Sequence, residues 1–486
     1  MTAFGGLLIS PAVAYRWQLR ATLALLTLAL VALLYDQPLA LSLLAIGLVV
    51  LVAMSVDRRV VVPIIVLALP LEISKELFPF LQTSASTTSP TLQVSIIDFG
   101  RLAVFAAAAF WAVSARGDWL GTLPRSGLYL PLGLLAGTFI LSLSYTMDPS
   151  GGGREVIRLA TNLALFALVI LFVQDRSSLR WALLALAASG LAAALAGLYQ
   201  QVTDTYFWND LLATSSVPRR NATFADPNVY ARFLNISMVM ALALLSTAKG
   251  RERYLMAATL IAVACALPFT GSRSGWLTAA IMLPLLTVSL PLSPRTRLRL
   301  LVAEGLAVTA SLVLALALDS SLIDRIETLR DGPRSLGARY YLIQAAWQMF
   351  LDNPLYGLGL DSFRTAMEGP YNSFVWQGHR DLLSHTSLMT LLAELGAIGM
   401  AVLAFLLYRW AKTCWNVYRA ADKADRADKA LIAGLAASLL VIFLSSQAEG
   451  RLFEDAYLWL FLGLTVAIAG IRHREQMADR AAAEAE

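Results

Sequence analysis

The sequence has few charged residues and few cysteines. Only 15% of its 486 residues are charged, whereas 58% are hydrophobic, and this excludes a soluble domain of ordinary composition. Its two cysteines, Cys265 and Cys414, are far apart and form no metal-binding or redox motif. We therefore interpret both cysteines as small buried residues.

Motifs for nucleotide binding, zinc-protease chemistry and serine-hydrolase chemistry are also absent. The chain contains no P-loop, no GxGxxG after a strand, no HExxH and no GxSxG. It has no Asp-x-Asp pair of the kind that holds a divalent metal for a nucleotide-sugar. These absences argue against ATP-driven transport and nucleotide-sugar chemistry. We expect no cofactor, no metal and no nucleic-acid partner.

Apolar runs long enough to cross a bilayer recur along the whole sequence. They predict an all-α, polytopic integral membrane protein with about twelve to fourteen transmembrane helices. No cleavable signal pattern precedes the first run, which is expected to act as an uncleaved insertion signal. The predicted spans are 20–35, 38–56, 60–72, 97–115, 127–145, 155–174, 179–199, 227–247, 254–270, 275–290, 299–318, 386–408, 430–446 and 455–471.

The distribution of basic residues predicts the orientation of these spans. Alternate loops are short and rich in Arg and Lys, so they are expected to face the cytoplasm, together with both termini. We expect a single domain over 1–486 in a bacterial inner membrane. The polar segment 319–385 is the large outer, periplasmic loop, expected to contain short helices. The segment 472–486 is expected to be a cytoplasmic tail, and its last residues, ADRAAAEAE, are expected to be frayed.

Several arginines lie on the predicted outer side, where they work against the insertion signal. Arg219 and Arg220 precede a turn in VPRRNATFADPN, and Arg273 is at the tip of FTGSRSGW. Arg339 is near the start of an expected interfacial helix that ends at Asn353-Pro354. Arginine suits phosphate because its planar fork donates two parallel hydrogen bonds. For Arg219 and Arg220, contact with lipid headgroups is an alternative role.

The second candidate group surrounds a histidine at the start of the span after the large loop. His385 is placed there to act as a general base, and His379 and Arg380 are possible supporting residues. Glu394 and Arg232 are charges inside predicted spans, where each requires a partner or a wet cavity. We expect Glu394, more than two turns into its span, to pair with Arg232 or Arg101.

Four motifs in this order resemble the O-antigen ligase-related family. That family includes O-antigen ligases, O-antigen and exopolysaccharide polymerases, and bacterial protein O-oligosaccharyltransferases. The resemblance rests on RRNATFADPN, FTGSRSGW, GARYYLIQAAW…NPLYGLGLDSF and HTSLMTLLAELGAIG, which follow one another between Arg219 and Gly399. One departure is Thr386, because an Asn often follows the histidine in the family.

The resemblance implies glycan transfer from polyprenyl (undecaprenyl) diphosphate to an acceptor hydroxyl on the outer face, without nucleotide or metal. The expected acceptor is lipid A core, a glycan or another hydroxyl, and the expected surroundings are membrane lipids. The residues suit this chemistry, because arginines can neutralise a diphosphate leaving group and one histidine can activate the hydroxyl. In-line attack would invert the anomeric carbon. Our hypothesis is that His385 is the base and that the diphosphate is bound by Arg219, Arg220, Arg273 and Arg339.

Two alternatives stay open at this point. A polysaccharide polymerase would use another lipid-linked repeat unit as acceptor, and the sequence does not separate it from a ligase. A transporter or flippase for lipid-linked glycans belongs to a different class. It would place broken helices and polar groups near the membrane midplane, whereas polarity in this chain is concentrated outside.

Overall fold

The computed structural model describes residues 57–71, 99–114, 123–207, 219–318, 332–374, 386–421, 425–450 and 452–485, with positions 51, 53 and 54. The chain divides into two compact units, Met1–Asp57 and Arg58–Glu486, and the second holds nearly all of the described residues. The predicted span 20–35 and most of 38–56 lie outside the described residues.

Helices form the whole of the regular structure in the described ranges. The first four are α1 (Val61–Ala68), α2 (Phe99–Ser114), α3 (Tyr129–Ser142) and α4 (Pro149–Phe172). The remainder are α5 (Arg176–Thr203), α6 (Pro227–Leu245), α7 (Gly250–Ala266), α8 (Arg273–Ser289), α9 (Pro294–Leu318), α10 (Gly332–Asp352), α11 (Ser362–Glu368), α12 (Ser387–Ala420), α13 (Arg426–Glu449) and α14 (Ala456–Ala485).

Among the described helices, 8 are long and apolar enough to cross a membrane, namely α4, α5, α6, α7, α9, α12, α13 and α14. Helix α3 and part of α2 are shorter apolar helices. Every predicted span from 60–72 onward coincides with one of the helices. The all-α, polytopic membrane architecture is therefore confirmed.

Aspartates cap several of these helices at their first turn. The Asp226 carboxylate accepts a hydrogen bond from the backbone N–H of Asn228 at 2.6 Å, and Pro227 takes the first helical position of α6. The predicted span 227–247 therefore begins at the first residue of α6. Asp148 caps α4 in the same way, accepting from the Gly151 N–H at 2.9 Å.

Helix α6 is the hub of the described bundle. It packs against α5, α7, α8 and α13, and most of its side chains are buried. Helix α14 packs on α4, and α12 packs on α3 and α13. Helix α9 is exposed along most of its length, as expected of an apolar helix that faces lipid.

The C-terminal segment differs from the prediction, because α14 continues to Ala485. The expectation that ADRAAAEAE is frayed is wrong for its described residues, 478–485, since most of them are alanine, glutamate or arginine, which are strong helix formers. Ion pairs also fix the base of this extension. Arg472 pairs with Asp425 at 2.8 Å, and Arg176 pairs with Glu475 at 2.8 Å.

Candidate active site

Most of the sequence motifs meet at one end of the helix bundle. This end, called here the loop end, comprises the N-terminal ends of α4, α6, α8, α12 and α14 and the C-terminal ends of α5, α7 and α13. It corresponds to the predicted outer side.

The motifs RRNATFADPN and FTGSRSGW form one structural unit. The backbone N–H of Arg220 donates to the Phe269 carbonyl at 2.9 Å, and Nε of Arg219 donates to the Thr270 carbonyl at 2.8 Å. The second guanidinium nitrogen of Arg219, NH2, donates to the Asn228 side chain at 2.7 Å. Arg219 thus links the loop after α5, the end of α7 and the first turn of α6.

A buried glutamine fixes the backbone of the first motif. The side-chain oxygen of Gln200 accepts from the Ala222 N–H at 2.7 Å and from the Asn221 N–H at 3.3 Å. Ala222 has a φ of 48°, in the left-handed region that non-glycine residues seldom adopt. Below it, the ring of Phe224 stacks on Tyr230 with centroids 5.6 Å apart. The turn is therefore rigid, and the arginines before it are fixed in place.

Arg220 is committed mainly to the protein itself. Its side chain is buried and pairs with Asp204 at 2.8 Å, and its Nε donates to Gln201 at 2.8 Å. Its guanidinium lies over the Tyr206 ring, 5.1 Å from the centroid. Of its nitrogens, NH1 is buried without a hydrogen-bond partner in the described structure. The positive charge of Arg220, which a diphosphate would require, is already neutralised by Asp204.

Arg273 has a different environment. It is the first residue of α8 and is half-buried. Within the part of the chain that the structure describes, no carboxylate lies at ion-pair distance from Arg273, and its guanidinium makes no hydrogen bond. The adjacent Ser272 side chain caps the helix, accepting from the Gly275 N–H at 3.2 Å. An arginine beside the positive end of a helix dipole suits an anionic ligand.

Arg232 is the centre of a buried ion-pair group. Its guanidinium lies 2.9 Å from Glu449 at the end of α13 and 2.9 Å from Asp455 just before α14. The expected pairing of Glu394 with Arg232 is therefore wrong. Arg232 faces the turn between α13 and α14, and the carboxylates of that turn satisfy it instead.

The motifs NPLYGLG and ELGAIG form a second unit. Helix α12 is interrupted at Gly396, whose φ of 58° and ψ of −156° are not helical. The chain before α11 lies along this break and supplies partners to the interrupted backbone. Four hydrogen bonds make the connection: Leu358 N–H to Ala393 O at 2.9 Å, Gly359 N–H to Glu394 O at 2.8 Å, Ala397 N–H to Pro354 O at 2.9 Å, and Ile398 N–H to Leu355 O at 3.2 Å.

Two glycines make this close approach possible. A Cβ atom at Gly357 would lie 2.3 Å from the Glu394 carbonyl carbon, and one at Gly396 would lie 2.6 Å from the Leu355 carbonyl carbon. Both glycines also have positive φ. These motif residues therefore have a structural role, which is to join the large loop to α12.

The break divides α12 into a first part, Ser387–Leu395, and a membrane-crossing remainder. An unbroken helix of 34 residues would be about 51 Å long, well beyond a hydrocarbon core of about 30 Å. The first part begins at the end of α13, where Ser387 Oγ donates to the Ser446 carbonyl at 2.9 Å. It ends beside the large loop, where the Glu394 carboxylate accepts from the Phe363 N–H at 3.1 Å. The first part of α12 therefore joins the end of α13 to the large loop, and Glu394 contacts that loop.

The large loop is also fixed to the start of α4. Thr146 Oγ1 donates to the Leu360 carbonyl at 2.6 Å, and Arg154 lies 3.5 Å from Asp361. Burial raises the pKa of the Asp361 carboxyl above its ordinary value, and the Arg154 guanidinium offsets part of this effect. The loop segment before and within α11 is thus held between α12 and the α3–α4 turn.

The predicted catalytic histidine, His385, lies outside the described residues, as do His379 and Arg380. The residue after it, Thr386, is described, and its hydroxyl donates to the Gln447 carbonyl at 3.4 Å. Gln447 is two residues before Glu449, the partner of Arg232. The start of α12 therefore rests on the same end of α13 that α6 contacts through Arg232.

Arg339 is carried by a different element from the other arginines. It is exposed on α10, which packs against α12. The structure thus joins Arg219, Arg220 and Arg273 in one unit around α6 and α8, whereas Arg339 belongs to the large loop.

Part of this chain is similar to a known protein family. Residues 257–404 match the family model described as O-antigen ligase. The match begins within α7, ends within α12 and includes FTGSRSGW and the whole of 319–385. A search of curated proteins gave no match. Together with the all-helical membrane architecture, this match over part of the chain supports a relationship to the O-antigen ligase family.

Proposed function

We propose that this protein transfers a glycan from a polyprenyl diphosphate, undecaprenyl diphosphate in bacteria, to an acceptor hydroxyl at the loop end. The family supports an O-antigen ligase or polymerase type of membrane glycosyltransferase in general terms. The donor, the inverting course, the periplasmic side, the bacterial inner membrane and the cytoplasmic termini are our proposals. The sidedness and the position of the termini are inferred from the charge distribution of the loops, whereas the donor, the inverting course and the bacterial membrane are what the family resemblance implies.

The placement of Arg273 is the observation that best supports this function. It is a half-buried arginine at a helix N-terminus, with no partner among the described residues. Its helix, α8, packs on α6 and α13, and the end of α13 also holds Thr386. A diphosphate bound at Arg273 would therefore lie at the same end of the bundle as the residue that follows His385.

The residues divide into binding and supporting roles. We assign diphosphate binding to Arg273, with Arg219 beside it and Arg339 contributed by the large loop. Arg220 is assigned a supporting role because its side chain is buried and Asp204 neutralises its charge. Arg232 and Glu394 hold the helix ends and the loop in position.

The proposed reaction needs one base and several cations. The acceptor hydroxyl gives its proton to His385 while its oxygen attacks the anomeric carbon. The bond from that carbon to the diphosphate oxygen breaks, and polyprenyl diphosphate leaves with the electron pair. The arginines stabilise the negative charge that grows on the leaving group. Attack from the face opposite the diphosphate inverts the anomeric configuration.

The test is glycan transfer by the purified full-length protein in lipid bilayers. His385→Ala is expected to lower the rate by about 10²–10⁴, and Arg273→Ala by roughly 10²–10³. Matched controls are His473→Ala and Arg299→Ala, which change an exposed histidine and an exposed arginine at the opposite end. Full activity of both site variants would refute the proposal. A ladder of products from single donor units would identify a polymerase, and a single addition to the acceptor would identify a ligase.

The break in α12 does not favour a transporter. Transporters place broken helices near the membrane midplane, where their backbone groups bind substrate. In this chain the backbone groups released by the break bond to residues 354–359 of the large loop instead.

A further inference from the structure

An apolar stripe on α10 is exposed although the opposite face of the helix is buried. The stripe follows helical spacing and continues into the turn after the helix. Its residues are between 37% and 59% exposed: Tyr340, Ile343, Trp347, Leu351, Leu355 and Tyr356. Such an array of large apolar side chains requires an apolar environment outside the described chain.

The buried face fixes the orientation of α10. Leu342, Ala346 and Met349 form a core with Phe363 and Met367 of α11. Rotation of the helix to bury the exposed stripe would expose this core. The stripe is therefore a permanent outer surface of the large loop.

This surface is continuous with the surfaces of two membrane-spanning helices. The Tyr145 hydroxyl, just after α3, donates to the Tyr356 carbonyl at 3.0 Å, and the two rings lie 6.2 Å apart. On the other side, Ile398 of α12 bonds to the Leu355 carbonyl, and its own side chain is exposed. The exposed face of α3 contains Leu130, Leu134 and Leu141.

We propose that the exposed stripe of α10 is seated in the bilayer leaflet at the loop end, among lipid headgroups and the upper parts of the acyl chains. Two observations favour lipid over a protein partner. The stripe joins faces of α3 and α12 that lipid must cover, and its aromatic members are Tyr and Trp, which concentrate at membrane interfaces. Helix α10 would thus lie along the membrane surface, with its apolar face about 5–10 Å deep.

The proposal has a consequence for the active site, and this consequence rests on the proposed function. Arg339 is in the N-terminal half of α10, one residue before the stripe, and is exposed. A helix lying at the headgroup level would hold this guanidinium at the depth of lipid phosphates. The diphosphate of a polyprenyl-linked donor is at the same depth, so the lipid-seated helix would present Arg339 to it.

Site-directed spin labelling in the full-length protein tests the seating independently of catalysis. In a Cys265→Ala, Cys414→Ala background, single labels are placed at Trp347→Cys and Ile343→Cys. Leu134→Cys on the exposed face of α3 is the lipid control, and Ser373→Cys in the exposed turn after α11 is the water control. The protein is reconstituted in phosphatidylethanolamine and phosphatidylglycerol bilayers, and collision with oxygen is compared with collision with a water-soluble nickel chelate.

Labels at 343 and 347 are expected to collide with oxygen and to be shielded from the chelate, as the label at 134 is. Chelate accessibility like that of the label at 373 would overturn the proposal. Shielding from both reagents would also overturn it, because that result indicates a protein partner or a second copy. Glycan transfer is measured on the same samples, so a failed seating is distinguishable from a failed activity.

Discussion

Replacing Gly396 with alanine should separate the large loop from α12. The added Cβ would lie 2.6 Å from both the carbon and the oxygen of the Leu355 carbonyl, and 2.8 Å from the Gly357 nitrogen. The residue would also be held at φ 58° and ψ −156°, a conformation that essentially only glycine adopts. Both effects act on backbone atoms, which cannot move aside as a flexible side chain can.

The magnitude follows from the contacts at the break. Backbone strain of this kind costs about 1–3 kcal/mol. Each of the hydrogen bonds between 354–359 and 393–398 contributes about 0.5–1.5 kcal/mol, and relief of the strain would break several of them. We therefore expect Gly396→Ala to lower the stability of the folded protein by roughly 3–6 kcal/mol.

The assay is thermal unfolding in bilayer nanodiscs, followed by glycan transfer below the transition. The matched control is Gly137→Ala on α3, where an added Cβ has no atom within 4 Å. That control should be neutral or slightly stabilising, because alanine favours a helix by about 1 kcal/mol. If Gly396→Ala melted and reacted like the control, the hydrogen bonds at the break in α12 would not hold the large loop, contrary to this prediction.

Three further predictions test other parts of the structure. Arg232→Met should destabilise the protein by about 3–5 kcal/mol, since the buried carboxylates of Glu449 and Asp455 would lose this cation. The control is Arg364→Met, which removes a looser ion pair with Glu368 at 3.7 Å and should cost under about 1 kcal/mol. Arg273→Ala should lose glycan transfer while its melting temperature stays near that of the wild type, because the Arg273 guanidinium has no partner among the described residues. Arg220→Ala should lower the melting temperature, because it removes the ion pair with Asp204. Burial and the hydrogen bond to Asp352 raise the pKa of Tyr371 to about 12. The phenol of the unfolded chain has a pKa near 10, so above that pH the unfolded state loses a proton that the folded state keeps. The free energy of unfolding should therefore fall by roughly 1–3 kcal/mol between about pH 10 and 12. This loss should be absent in Tyr371→Phe.

The helices were predictable from the sequence because apolar length is a strong and local signal. The Asp226-Pro227 start of α6 was predictable for the same reason, since capping depends on adjacent residues. The ion-pair partners were not. Arg232 finds Glu449 and Asp455 more than two hundred positions along the chain, and spacing in the sequence gives no indication of that contact.

The motifs were recognised as a group before their individual roles were known. Their order indicated the family, but the structure shows that several motif residues join backbone segments to one another. Gly357 and Gly396 permit close contact between the loop and α12, and Arg219 bonds to the Thr270 carbonyl. The sequence predicted diphosphate binding for all of the outer arginines. Only the neighbouring residues in the structure distinguish Arg220, which Asp204 neutralises, from Arg273.

In the proposed reaction, Arg273 and His385 act on one donor molecule. The most direct measurement is cross-linking of Arg273→Cys with His385→Cys by a short bifunctional thiol reagent, in the full-length Cys265→Ala, Cys414→Ala protein in bilayers. Arg299→Cys with His385→Cys is the control pair, because Arg299 is in the first two turns of α9, at the opposite end. We predict that the 273–385 pair cross-links and that the control pair does not react. Absence of the 273–385 product, with both thiols shown to be reactive, would contradict the account.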